Sequence, residues 1–212
     1  MKNNAEVSKA TVDRLPLYFR TLRQVQSEGI DIISSEELGR RIGVTPEQIR
    51  KDLASFGEFG KKGVGYFVRE LIRNISEILG LHRNWNIAII GVGHLGWALA
   101  NYRSLNSIGF TVAALLDADS AKIGQRVNGI EVSDMSDLEQ VIKDQDIHIG
   151  VITVPANVAQ QTAERLVAAG VRGIWNFAPV VLKVPDDIRL VSEDLSVGLS
   201  SISYYLSRVA RE

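Results

Sequence analysis

The apolar residues of this chain recur with a helical period up to about residue 80 and fall into short unbroken runs after it. From Asp13, Leu15, Phe19, Leu22, Val25 and Gln26 follow helical spacing up to Gly29, with Pro16 placed for a first turn and residues 1–10 left as a polar arm. Ser34 or Ser35 caps a short second helix over residues 36–42, with acids in its first turn and Leu38 and Ile42 inward. After a turn at Gly43 and Val44, Thr45-Pro46-Glu47-Gln48 opens a third helix. Threonine stands at the N-cap, proline at the first helical position, and glutamine where a capping box needs it. Ile49, Leu53 and Phe56 share one face of this helix; Glu47, Lys51 and Ala54 lie opposite, flanked by Arg50 and Ser55. Two short helices joined this way predict a helix-turn-helix, whose second helix can enter a major groove. Gly57, Gly60, Gly63 and Gly65 then suit a hairpin wing carrying Lys61 and Lys62 towards phosphates. Val68, Leu71, Ile72, Ile75, Ile78 and Leu79 mark a fourth helix, closed by Gly80.

Beyond residue 80 the pattern becomes strand, turn and helix. Ile87 to Ile90 is an apolar run short enough for a buried strand, and Gly91, Gly93 and Gly96 follow at GxGxxG spacing before a helix expected over residues 95–102. A second run, Val112 to Leu116, ends in Asp117, about 20 residues past the glycines, as a dinucleotide fingerprint requires. Each part has a physical reason. Gly91 permits the tight turn, Gly93 keeps side-chain atoms away from a pyrophosphate, and Gly96 lets helix and strand approach. Asp117 would accept both hydroxyls of an adenosine ribose and repel a 2′-phosphate, which favours NAD(H).

The alternation continues with strands over residues 130–132, 147–154 and 174–177 and helices over 135–143 and 157–169, predicting a doubly wound parallel sheet. Ligands in such sheets lie beyond the carboxyl ends of the strands. Thr153-Val154-Pro155 and Asn176-Phe177-Ala178-Pro179 stand there, placed to line a nicotinamide pocket. A last helix from about Val197 carries Leu199, Ile202, Leu206 and Val209 on one stripe with Tyr205 beside it. That stripe packs on its own sheet or on a second subunit. The dimeric habit of helix-turn-helix proteins favours the subunit.

Composition narrows the chemistry. Net charge is 24 − 25 = −1, so no global basic charge draws this protein to nucleic acid. Locally, Arg40, Arg41, Arg50, Lys51, Lys61 and Lys62 outnumber Glu36, Glu37, Glu47, Asp52 and Glu58 over residues 36–62, with most acids in the first half. The absence of cysteine excludes disulfides and thiolate metal sites, so a redox role has to run through a bound molecule. No signal peptide or membrane-spanning run is present, and a cytoplasmic protein without membrane association is expected. His82, His94 and His148 lack metal-ligand spacing, so no metal site is expected. No tyrosine has a lysine four positions on, and no substrate domain follows the nucleotide fold. A catalytic residue is therefore not expected. A small NAD-dependent oxidoreductase and a CoA- or nucleotide-binding module, each with a helical N-terminal extension, are the alternative readings.

Taken together, TPEQIRKDLASFGEFGKKGVGY, IGVGHLGWALANY, TVP, NFAPVVL and SEDLSVGLSSISYYL closely resemble the Rex family of redox-sensing transcriptional repressors, over nearly the whole chain. The resemblance implies a winged helix-turn-helix over residues 1–80, a Rossmann-like NAD(H)-binding domain over 81–196, and a dimerisation helix over 197–212 that is swapped between subunits of a homodimer. It implies an operator-binding protein, on palindromic double-stranded DNA with NAD+ or no ligand, released by NADH. The DNA contacts would be Thr45, Gln48, Arg50, Lys51 and Ser55 with Gly60, Lys61, Lys62 and Gly63 of the wing. Cofactor contacts would be Gly91, Val92, Gly93, His94, Leu95, Gly96, Tyr102 and Asp117, with Thr153, Val154, Pro155, Asn176, Phe177 and Ala178. Arg20, Tyr102 and Asp194 match positions where the family couples nicotinamide redox state to domain orientation. Leu195 stands where some members have an aromatic.

Overall fold

The computed structural model describes residues 7–61 and 63–209, with the side chain of Val209 outside that set. The chain divides into two compact units, one ending at Arg83 and the other beginning at Asn84.

The first unit comprises α1 (Lys9–Ser27), β1 (Ile32–Ile33), α2 (Ser35–Ile42), α3 (Pro46–Ala54), β2 (Tyr66–Phe67) and α4 (Val68–Ile78). Helix α1 starts earlier than the spacing predicts because Ser8 accepts the Thr11 N–H as its N-cap, so Pro16 lies inside the helix and not in its first turn. Of the expected polar arm, residues 1–6 lie outside the described residues, and residues 9–10 are helical. Ser34 is the cap of α2, accepting from the Glu37 N–H, and Gly43 ends it at φ 71°, a left-handed conformation that costs a glycine little. Strand β1, which no apolar run announces, pairs antiparallel with β2 and anchors the base of the wing. Lys61 bridges to Gly65 at its tip, where Gly63 turns at φ 80°. Leu15, Tyr18, Leu22, Leu38, Ile49, Leu53, Leu71 and Ile75 form the core.

The second unit comprises β3 (Trp85–Ile90), α5 (His94–Ala100), β4 (Phe110–Asp117), β5 (Arg126–Val127), β6 (Ile130–Asp134), α6 (Leu138–Asp144), β7 (Ile149–Ile152), α7 (Ala156–Ala168), β8 (Gly173–Asn176), β9 (Arg189–Ser192) and α8 (Leu195–Val209). The sheet order is β5-β6-β4-β3-β7-β8-β9, with every neighbouring pair parallel except β5 with β6. From β3 the chain winds one way to β4 and β6, then crosses to β7 on the other side. Its topological switch therefore falls between β3 and β7, where such sheets bind ligands. Tyr102 lies beyond α5, outside the helix expected to contain it. Residues 147–148 and 153–154 flank β7 without belonging to it, and residues 135–137 form a 3₁₀ turn ahead of α6.

Candidate functional site

In the first unit α3 is held by the face that the helical wheel assigns to the core, and by one acid that the wheel leaves unassigned. Asp52 is 1% exposed and accepts from Thr11 Oγ1 (3.1 Å), Tyr18 Oη (2.6 Å), Gln48 Nε2 (2.8 Å) and both Nε and Nη2 of Arg14 (2.6 and 2.7 Å). Burial alone would raise this carboxyl. The hydrogen bonds from Arg14, Tyr18 and Gln48 outweigh it and hold the pKa at about 2. The cluster ties α3 to α1. It also corrects the place of Gln48, whose amide turns to Asp52 and does not close a capping box. Thr45 does cap α3, accepting from the Gln48 N–H at 3.3 Å.

The opposite face is open. Lys51, Ala54 and Ser55 are exposed, and Ser55 Oγ donates to the Lys51 carbonyl. Arg50 is engaged in the free protein: Nη1 donates to Ser35 Oγ (2.7 Å), with Glu36 at 3.4 Å, and Nη2 donates to Glu47 (3.0 Å). A cleft of about 600 Å3 separates this helix from the wing, lined by Ser34, Arg50, Ala54, Lys61 and Gly63 among others. The Lys61 ammonium stands 5.4 Å from the centre of the Phe67 ring, a cation–π contact that restrains it beside β2. Gly60 packs against Tyr66, whose ring a Cβ would meet at 2.9 Å. Lys62 lies outside the described residues.

In the second unit the glycine turn sits at the switch point. Gly91 has φ 96°, and a Cβ there would meet Thr153 and Val154 at about 3 Å, so the two loops touch backbone to backbone. Thr153 Oγ1 donates to the carbonyls of Gly91 (2.6 Å) and Ile90 (3.0 Å), fixing that approach. A Cβ at Gly96 would collide with the Gly91 carbonyl, whereas one at Gly93 would enter open space. The turn is therefore closed at Gly91 and Gly96 and open at Gly93, a cradle that a side chain would fill and a pyrophosphate fits. Gly93, with Gly91, Asp117, Thr153, Val154 and Phe177, lines a cleft of about 850 Å3.

Asp117 lies at the carboxyl end of β4 as expected, but its carboxylate is already engaged. Val92 N–H (2.7 Å) and Lys122 Nζ (3.1 Å) donate to Oδ2, and Asp119 N–H (2.9 Å) donates to Oδ1. Burial works to raise the carboxyl, but these donors outweigh it and lower the pKa, while Asp117 raises that of Lys122. Lys122, Met135, Gln161 and Arg165 also line the cleft, and no motif in the sequence marks them. They lie off the fingerprint spacing; the basic residue five positions past its acid is the one hint that the residue order offers.

Two expected contacts act differently. Asn176 is fully buried: its amide donates to the carbonyls of Ala178 and Val180 and accepts from the Ala178 N–H. It shapes the loop, and the buried Ala178 packs beneath it, leaving Phe177 and Pro179 to line the cleft. Val92 and Gly96 are buried in the turn, Leu95 is half-buried, and Pro155 and His94 are exposed at its rim. Tyr102 is exposed after α5, and Arg20 is exposed on α1. Asp194 caps α8, accepting from the Ser196 N–H (2.8 Å) and hydroxyl (2.6 Å), which lower its pKa. Among the described residues no group of histidine and carboxylate side chains could hold a metal ion.

A family model described as "CoA binding domain" matches residues 82–180, and one described as "Putative DNA-binding protein N-terminus" matches residues 6–54. The redox-sensing transcriptional repressor Rex of Syntrophobacter fumaroxidans is 48% identical, covering 96% of this chain and 97% of its own. That of Roseiflexus sp. is 46% identical, covering 98% and 94%. The chain belongs to the Rex family of redox-sensing transcriptional repressors. Solved structures of the Rex-family repressor RSP match it over 98% of its length. The complex with β-NADH has a TM-score of 0.89 at 42% identity and is covered over 97% of its chain. The complex with β-NAD+ and operator DNA has a TM-score of 0.91 at 43% identity and is covered over 95%. Rex proteins are regulators, so membership in the family sets aside the oxidoreductase reading.

Proposed function

We propose that this protein is a DNA-binding transcriptional repressor that senses the NADH/NAD+ ratio, holding a palindromic operator with NAD+ or no ligand and releasing it with NADH. The observation that carries this reading is that one chain joins a firmly seated helix-turn-helix, its outer face open, to a fingerprint cleft with a cradle at Gly93. Lys51, Ser55, Arg50 and the wing residues Gly60, Lys61, Lys62 and Gly63 form the DNA face. The glycine turn takes the pyrophosphate, Asp117 the adenosine ribose, and the loops at Thr153 and Phe177 the nicotinamide. Bound nicotinamide supplies a charge that disappears on reduction. Arg20, Tyr102 and Asp194 read that change, with Asp194 free to exchange its cap on α8 for another partner. Residues 1–80, 81–196 and 197–212 form the DNA-binding, cofactor and dimerisation segments.

The dimer rests on α8. Its side chains from Leu195 to Arg208 are exposed, including Leu199, Ile202, Tyr205 and Leu206, so the stripe is not covered by its own sheet. An apolar face of that extent marks an interaction surface, and a swapped helix in a homodimer would cover it. No helix among the described residues is long and apolar enough to cross a membrane. The proposed site of action is the cytoplasm, where a repressor meets its operator.

Titration of operator-bound protein with NADH tests the reading: release by NADH and retention by NAD+ support it, and equal binding at every ratio ends it. Coupling is reciprocal, so operator DNA lowers NADH affinity by the same factor. Lys51→Ala and Lys61→Ala are expected to weaken operator binding, each reducing the slope of log affinity against log salt by about 2, one phosphate contact for each half-site of the dimer, with NADH affinity unchanged. Glu47→Gln is expected to act in the opposite direction. It frees Arg50 from an exposed pair worth about 0.2–1 kcal/mol, so operator affinity rises up to roughly fivefold in a filter-binding or anisotropy assay.

A further inference from the structure

We infer that Asp117 occupies an anion site built by the protein itself, and that Lys122 is the residue poised to accept a 2′-phosphorylated adenosine once that carboxylate is removed. This rests on the NAD(H)-binding reading of the cleft. The usual explanation of dinucleotide choice at such an acid is repulsion between carboxylate and phosphate. Here a cation lies 3.1 Å from the same carboxylate oxygen, which offsets that repulsion. What excludes the phosphate is occupancy. The Val92 N–H, the Asp119 N–H and the Lys122 ammonium converge on the two oxygens of Asp117, and these are the donor types that hold a phosphate. With the carboxylate gone, all three are left without their acceptor, and two of them, at Asp119 and Lys122, belong to residues that line the cleft.

The other charges nearby leave this balance in place. Asp119 stands 3.7 Å from Lys122, but half its side chain is in solvent and its Oδ1 is turned to the Ala121 N–H. Arg165 also lines the cleft, and its guanidinium is neutralised by two hydrogen bonds to Glu139 at 2.8 Å each. Lys122 is thus the cation of this cleft held by the ribose-binding acid, and its side chain is 36% exposed, free to swing towards a ligand.

The 3′-phosphate of CoA offers the same chemistry from a different position on the ribose, and the test separates the two. NADH, NADPH and CoA are titrated into the full-length wild type, Asp117→Ser and Asp117→Ser/Lys122→Gln proteins, with the fluorescence melting transition of Trp85, Trp97 and Trp175, all in the second unit, confirming that this unit is folded in each variant. Asp117→Ser is expected to gain at least tenfold in NADPH affinity and to lose NADH affinity, and adding Lys122→Gln is expected to remove the NADPH gain. Asp117→Ala serves the same comparison should the second unit of the serine variant fail to fold. The inference falls if wild type binds NADH but neither Asp117 variant gains NADPH affinity, if the gain survives Lys122→Gln, or if only CoA gains. Failure of wild type to bind NADH would instead remove the reading of the cleft on which it rests.

Discussion

Asp52→Ala is expected to cost the N-terminal unit about 3–5 kcal/mol, the range for removing one partner of a buried ion pair. For a unit of this size that is a fall of roughly 12 °C or more in melting temperature. The loss is large because it leaves Arg14, 28% exposed at its side chain, Tyr18 and Thr11 without the acceptor that they share. Operator affinity should fall with it, since these bonds seat α3 on α1, while NADH binding to the second unit persists. Differential scanning calorimetry with parallel NADH titration checks this, and an unchanged melting temperature would refute the part assigned to the cluster. The same carboxyl predicts the acid response. Its folded pKa of about 2 lies below the unfolded value of about 3.9. Its contribution, about 2–3 kcal/mol, is therefore complete above about pH 4 and lost as pH falls through about 2. Asp52→Asn should flatten stability over that window.

Gly96→Ala is expected to uncouple the switch. The new methyl would collide with the Gly91 carbonyl, which is itself held by Thr153, so the turn has to shift from the geometry that lines the cleft. Overpacking of this kind costs about 1–3 kcal/mol. Charged against ligand binding, it lowers NADH affinity on the order of 5- to 150-fold. Operator binding without ligand should survive, because the glycine turn belongs to the other unit, and the variant should repress at NADH levels that release the wild type. An unchanged NADH midpoint in an operator-release titration would show that the turn does not hold the dinucleotide.

Much of both sites is legible in the residue pattern, for a local reason. A capping threonine before a proline, glycines separated by one and two residues, and an acid closing an apolar run each specify backbone geometry within a few residues. The helices of the first unit, the parallel strands β3, β4, β7 and β8, and the positions of Gly91, Gly93, Gly96 and Asp117 are therefore readable from residue order alone. Strands β5 and β9 are not. Arg126–Val127 has two residues, and Arg189–Ser192 is an edge strand left largely exposed, so neither carries a period to detect.

The remaining surprises concern pairs distant along the chain. Asp52 sits among charged neighbours and reads as a surface residue; only the packing of α1 on α3 brings Arg14 and Tyr18, more than thirty residues earlier, onto its oxygens. Asn176 has the composition of a ligand contact, yet β9 and the loop after β8 close over it and consume its amide. Lys122 becomes a partner of Asp117 through the turn that follows β4. Residue order dictates which backbone turns exist and which side chains each helix offers, because those depend on local conformation. Which charges are neutralised, buried or left for a ligand is settled only in the folded chain, because that depends on what long-range packing places within hydrogen-bond reach.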